Sequence, residues 1–121
     1  LFLSAASAER AIEVAIHEMG HAVDWHARPH DSRWGWSATS GTWSLATGWR
    51  HHDNGEYWTN YGSSKRAGAP TTYASYGGPG EDFAETFTWY VESGFGGYSE
   101  ATGAPSPERQ VALNVALGEF R

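Results

Sequence analysis

Apolar residues recur at helical spacing near the start of the chain. Ala8, Ala11, Ile12, Ala15, Ile16, Met19 and Val23 form one stripe, which predicts a helix over 7–25 with that stripe buried. Ser7 is placed to cap it, and Glu9 suits the first turn, where a carboxylate meets the positive end of the helix dipole. The helix should end before Pro29, because the residue preceding a proline disfavours helical backbone. Gly20 interrupts the pattern at an intrinsic cost of about 1 kcal/mol against alanine. It either lets another element pack closely or leaves room beside neighbouring histidines.

A second helix is predicted over 81–92. Phe83, Ala84, Phe87 and Val91 lie on one side of it, Glu81 and Glu85 lie one turn apart on another, and Gly94, Gly96 and Gly97 end it. A third is predicted over 107–119, capped by Ser106 with Pro107 at its first position. Val111, Leu113, Val115, Leu117 and Phe120 supply its apolar surface. Residues 28–80 differ in texture, being rich in Gly, Ser, Thr and aromatics and holding five of the seven Trp. A stretch that long predicts short strands or a hairpin rather than bare loop. Leu1–Leu3 and Thr42–Thr47 read as short strands, Asp53-Asn54-Gly55 as a turn, and Trp34 and Trp36 share a face if the backbone is extended. The expectation is one small α+β domain over 1–121, mainly helical, with few short strands.

Composition narrows the chemistry. With 8 basic and 14 acidic residues the formal net charge is −6. Lys65-Arg66 is the only adjacent basic pair, so a nucleic acid partner is not expected. The chain has no cysteine, which removes disulfides and thiolate ligands; a metal must take imidazole, carboxylate or water. No run approaches the roughly 20 apolar residues of a membrane span. Leu1–Ala8 is too short for an intact signal peptide. A start at Leu1 rather than Met gives the expectation of a processed product or excised domain, in a secreted or extracellular setting.

The segment His17-Glu18-Met19-Gly20-His21 carries the chemistry. Two histidines four apart on a helix present their rings to one point, a natural holder for one zinc ion per chain. Glu18 adjoins the first ligand and can act as general base on water there. Catalytic zinc sites take a third protein ligand, and the candidates are His26, His30, His51, His52, Asp24, Glu81, Asp82 and Glu85. One class places a third His six residues after the second and a glycine midway; those positions are Ala27 and Asp24 here, so that class is not matched. His26 follows His21 by five and needs an altered turn. Glu81 is the best third ligand, with Glu85 accepting the outer ring proton of a ligand histidine. Asp24 is a further second-shell candidate. Most of the Trp residues are expected to fill a core poor in aliphatics, while Trp34, Trp36 and Trp43 are candidates for the wall of a substrate groove.

His17-Glu18-Met19-Gly20-His21-Ala22-Val23-Asp24, with Ser75-Tyr76-Gly77 followed by Glu81-Asp82-Phe83-Ala84-Glu85-Thr86-Phe87, resembles the gluzincin metallopeptidases. Within them it looks most like the anthrax lethal factor catalytic-domain family. The resemblance implies a zinc endopeptidase acting on protein or peptide, with His17, His21 and Glu81 as ligands and Glu18 polarising the water. It also implies a tyrosine shortly before the third ligand as oxyanion stabiliser: Tyr76 by position, with Tyr73 the alternative. The family's substrate-aligning edge strand has only Leu1–Ser4 to occupy before the first helix, unless it lies upstream or within 33–49. Three rivals stand beside this reading: a noncatalytic metal-stabilised domain with a fourth protein ligand, a glycan- or peptide-binding module, and a zinc amidase acting on cell-wall peptide.

Overall fold

The computed structural model describes residues 4–27, 35–51, 58–60 and 63–120. Seven helices are seen among them: α1 (Ala5–His26), α2 (Trp36–Thr39), α3 (Gly41–Thr47), α4 (Ser63–Arg66), α5 (Thr72–Tyr76), α6 (Pro79–Glu92) and α7 (Pro107–Phe120). Two short strands, β1 (Trp49–His51) and β2 (Trp58–Asn60), pair antiparallel with Arg50 opposite Thr59. The described residues are thus mostly helical. The 28–80 segment holds the one small hairpin expected of it, but also α2–α5, four short helices that its texture did not predict. The Asp53-Asn54-Gly55 turn and the Leu1–Leu3 strand lie outside the described residues.

Helix α1 begins earlier than expected. Ser4, not Ser7, is the cap: its Oγ accepts from the Ser7 N–H at 3.1 Å. The apolar stripe is only partly the buried face: Ile16 and Val23 pack against the core, but the rest of the stripe does not set it. Ile12 and Met19 are more than half exposed, whereas Glu13, Gly20 and Asp24 are buried. Packing chose the face that permits the closest approach. A Cβ on Gly20 would stand 3.0 Å from the Ala84 Cα and 3.1 Å from the Phe87 ring, so α1 meets α6 almost backbone to backbone. Of the two readings of Gly20, close packing is the one observed. The buried acids on that face are satisfied. The Ser99 N–H donates to Glu13 at 2.7 Å, and Asp24 accepts from the Ser37 N–H and hydroxyl at 2.6 and 2.7 Å.

Thr42–Thr47 is helical, a correction to the strand reading. Ser40 caps it through the Thr42 N–H, and Gly48 ends it in the left-handed region at φ 81°. Trp43, Ala46 and Thr47 then face inward with one-turn spacing. Trp36 likewise lies on a helix rather than an extended segment. Trp36 and Trp43 are 2% and 0% exposed and pack edge-on around Phe83, with centroids 5.8 and 5.2 Å away. Neither lines a groove; they are core, because few aliphatics compete for it. In α7, Ala112, Leu113 and Ala116 turn inward, while Val111 and Val115 face solvent.

A buried ion pair joins α6 to α7. The Arg109 Nε and Nη2 donate to Asp82 at 3.0 and 2.8 Å, and both side chains are fully buried. Trp49 Nε1 donates to the same carboxylate at 2.9 Å, and Arg109 Nη1 donates to the Lys65 carbonyl at 2.7 Å. Burial pushes the Asp82 pKa up, against the pull of Arg109. Removing one partner strands the other charge, so Arg109→Ala should cost about 3–5 kcal/mol, read as a lowered midpoint in chemical denaturation. A loss under about 1 kcal/mol would show that α7 does not depend on this pair.

Candidate metal centre

His17 and His21 sit one turn apart on α1, and Glu81 and Glu85 one turn apart on α6. The Gly20 contact brings the two rows together. The His17 Nε2 lies 3.2 Å from Glu81 Oε2, and the His21 Nε2 lies 2.8 Å from Glu81 Oε1. One ligand atom from each of these three residues falls within 4.8 Å of the others. The imidazole planes stand at 83°, with centroids 4.7 Å apart. Two imidazole nitrogens and a carboxylate oxygen bound tetrahedrally at zinc distances would be about 3.3 Å apart. The observed spacing is close to that, and the donor set suits a divalent metal.

Glu85 stands behind His17. Its Oε2 faces His17 Nδ1 at 2.9 Å, and the carboxylate also accepts from the Tyr98 hydroxyl at 2.7 Å and the Thr71 hydroxyl at 2.8 Å. Burial raises the Glu85 pKa, but the hydrogen bonds from His17, Tyr98 and Thr71 outweigh it and hold it below its ordinary value. The same hydrogen bond to Glu85 raises that of His17. With Nδ1 engaged by Glu85, Nε2 is the nitrogen turned to the cluster.

The three residues border a cavity of about 320 Å³. Glu18 lines it without belonging to the cluster. Tyr73 lines it too, and its hydroxyl bonds to Glu81; that bond, with burial, pushes its pKa up to about 12. Tyr76 is not among the lining residues. It is 67% exposed, and its ring stands edge-on to Tyr73 at 5.7 Å. Tyr73 and Tyr76 are three residues apart on α5 and share a face, but only Tyr73 reaches the cavity.

The remaining sequence candidates disperse. Asp82 is taken up by Arg109 and Trp49. Asp24 anchors α2 through Ser37 and borders a separate recess with Gly35 and Gly78. His26 is exposed at the end of α1. Trp34, His30 and His52 lie outside the described residues, as does the side chain of His51. No fourth His, Asp or Glu joins His17, His21 and Glu81 among the described residues.

Several lining residues went unnoticed in the sequence. Arg10 and Val14 precede His17 and Glu18 on one helical face, a spacing that was there to be read. Tyr98 and Thr71 carry no such signal. They reach Glu85 from the turns beyond α6 and before α5. No helix among the described residues is long and apolar enough to cross a membrane. Comparison with protein-family models, curated proteins and solved structures finds no match to this chain.

Proposed function

We propose that this chain is a zinc-dependent endopeptidase of zincin-like type, similar to the gluzincins and most nearly to the lethal-factor family. One observation carries the reading. His17, His21 and Glu81 converge from two helices on a single cavity that Glu18 also lines, and Glu85 braces His17 from behind. A chance histidine pair would not bring a carboxylate bridging both rings and a second carboxylate on the far nitrogen.

When bound, zinc supplies a Lewis acid that polarises the scissile carbonyl and acidifies water. Glu18 takes the proton from the attacking water and hands it to the leaving amine, first as base and then as acid. Tyr73 takes the oxyanion role in place of Tyr76. It lines the cavity beside Glu81, whereas Tyr76 does not, so its hydroxyl is the donor placed near the reacting carbonyl. Glu85, held by Tyr98 and Thr71, fixes the His17 tautomer and ring plane. Arg10 and Val14 continue the cavity along α1, and the substrate peptide lies along them rather than on Trp36 or Trp43.

Elemental analysis of the purified chain should find one zinc per molecule. A ratio near zero that added zinc does not change would sink the metal assignment. Competition with a chelator should rank the two carboxylates. Glu81→Ala should abolish tight binding, and Glu85→Ala should weaken it roughly ten- to hundredfold; the reverse order would exchange their roles.

Glu18→Gln and Tyr73→Phe should both retain zinc and fold yet lose peptide hydrolysis. The expected fall for Tyr73→Phe is about 10²–10³ in kcat, the usual loss for one oxyanion donor. Full turnover by Tyr73→Phe with loss in Tyr76→Phe would return the role to Tyr76.

A further inference from the structure

A second concavity lies on the other side of α1. It is a groove of about 730 Å³ walled by Ala8, Ile12 and Ile16 of α1 and by Phe95 from the turn after α6. Ile12 is 58% and Phe95 80% exposed. At the helical angle per residue, the groove positions point about 170° away from Arg10, Val14, His17, Glu18 and His21. The groove and the metal cavity therefore occupy nearly opposite faces. From Ala5 to Ile16 the groove runs about 16 Å along the helix. An extended segment of about five residues spans that length.

Glu92 lies against this groove, and it is an unusual residue. It is 6% exposed, yet no hydrogen bond or ion pair reaches its carboxylate among the described residues. It sits in the last turn of α6, where the helix dipole is negative and a carboxylate is disfavoured. It faces Glu13 and Glu9, and burial together with those two carboxylates raises its pKa. Arg10, a cation on α1, is engaged elsewhere, with Glu13 and Glu100. The four other buried carboxylates among the described residues each have donors: Glu13 from Ser99, Asp24 from Ser37, Asp82 from Arg109 and Glu85 from Tyr98.

We propose that this groove docks an extended polypeptide segment carrying one Arg or Lys between apolar residues. The cation meets Glu92, and the apolar residues two positions to either side of it, on the same face of the extended segment, cover Ile12, Ile16 and Phe95. Charge complementarity selects this occupant. A wholly apolar segment would bury Glu92 deeper without a donor, a costly outcome, and a small cation would leave the apolar walls wet. Glu9 on the rim adds attraction of the same sign. The docking site stands apart from the metal cavity and does not depend on the peptidase reading.

The probe is an end-blocked, fluorescently labelled Leu-Ala-Arg-Ala-Leu pentapeptide, whose Leu and Arg side chains share one face of the extended chain, compared with its citrulline analogue, which is neutral and nearly isosteric. Fluorescence anisotropy should show saturable binding of the Arg peptide, equal for the zinc-treated and chelator-treated chain, with the citrulline peptide at least tenfold weaker. Glu92→Gln should abolish that discrimination. It should also raise the melting temperature of the unliganded chain, since it removes a buried like charge. Phe95→Ser, at an exposed position, should weaken both peptides at least fivefold without lowering the melting temperature. The proposal is overturned by equal affinity for the two peptides, by binding that requires zinc, or by no binding. A lowered melting temperature of Glu92→Gln would overturn it as well, because that would reveal an internal partner. Octylguanidinium binding as tightly as the Arg peptide would replace the polypeptide with a small cationic amphiphile.

Discussion

The candidate metal cluster exists because two helices touch at Gly20. The α1–α6 approach leaves no room for a Cβ there: Ala84 and Phe87 already occupy the space. Any side chain at that position would move α1 outward or tilt it. His17 and His21 lie three residues before Gly20 and one after it, so such a shift passes directly to the ring nitrogens. On the opposing helix, Glu81 and Glu85 bracket Ala84 in the same way. The contact therefore acts as the register mark for both rows of ligating groups. A site of this kind must be held to within about half an ångström to function, and backbone packing is a stiffer constraint than long side chains can supply.

The same contact explains why the helix buries its polar face. Once Gly20 sets the axis, Glu13 lies two turns before it and Asp24 one turn after it on the inner side. Each must find donors, and the chain supplies them from Ser99 and Ser37. Buried polar groups that are fully paired add little net stability, but they discriminate sharply between registers, because any slip leaves a group unpaired. In a domain poor in leucine, isoleucine and valine, that discrimination matters. The Asp82–Arg109 pair does the same for α7, with Trp49 binding the hairpin to the same carboxylate.

The candidate site was more legible than the fold. His17, Glu18 and His21 declare themselves through one-turn spacing on a helix, and Glu81 with Glu85 repeats the device on the next long helix. Those features are local, and local spacing survives tertiary packing. The buried stripe of α1 was read correctly at Ile16 and Val23 but not at Ile12 and Met19, because hydrophobicity alone was taken to mark the inner face. The residue that decided the matter, Gly20, has no side chain to register in such a pattern. Thr42–Thr47 was misread because Thr, Trp and Ser suit strands, although Ser40 and Gly48 bracket the segment as a cap and a stop. Tyr73 and Tyr76 share a face of the five-residue helix α5, so spacing alone does not separate them; which one borders the cavity depends on how α5 packs on α6. Tyr98 and Thr71 reach Glu85 only through the tertiary fold, so no sequence spacing could have found them.

Glu92 shows the opposite balance. It is as hidden from water as Asp24, but its sequence neighbourhood gives it nothing to bond. Its helix end repels it, and the carboxylates of α1 face it. Four buried acids with donors show that this fold builds partners where a charge must be held. A fifth without one is therefore a place where the isolated chain stays below its stability optimum. Such frustration persists in a folded domain when something outside the domain relieves it. The relieving group must bring positive charge, because a neutral donor would leave the repulsion from Glu9 and Glu13 in place. It must also bring apolar surface, because the walls around Glu92 are Ile12, Ile16 and Phe95 rather than polar side chains. Charge and apolar surface arriving together along some 16 Å of helix describe a length of polypeptide more closely than a metabolite or an ion.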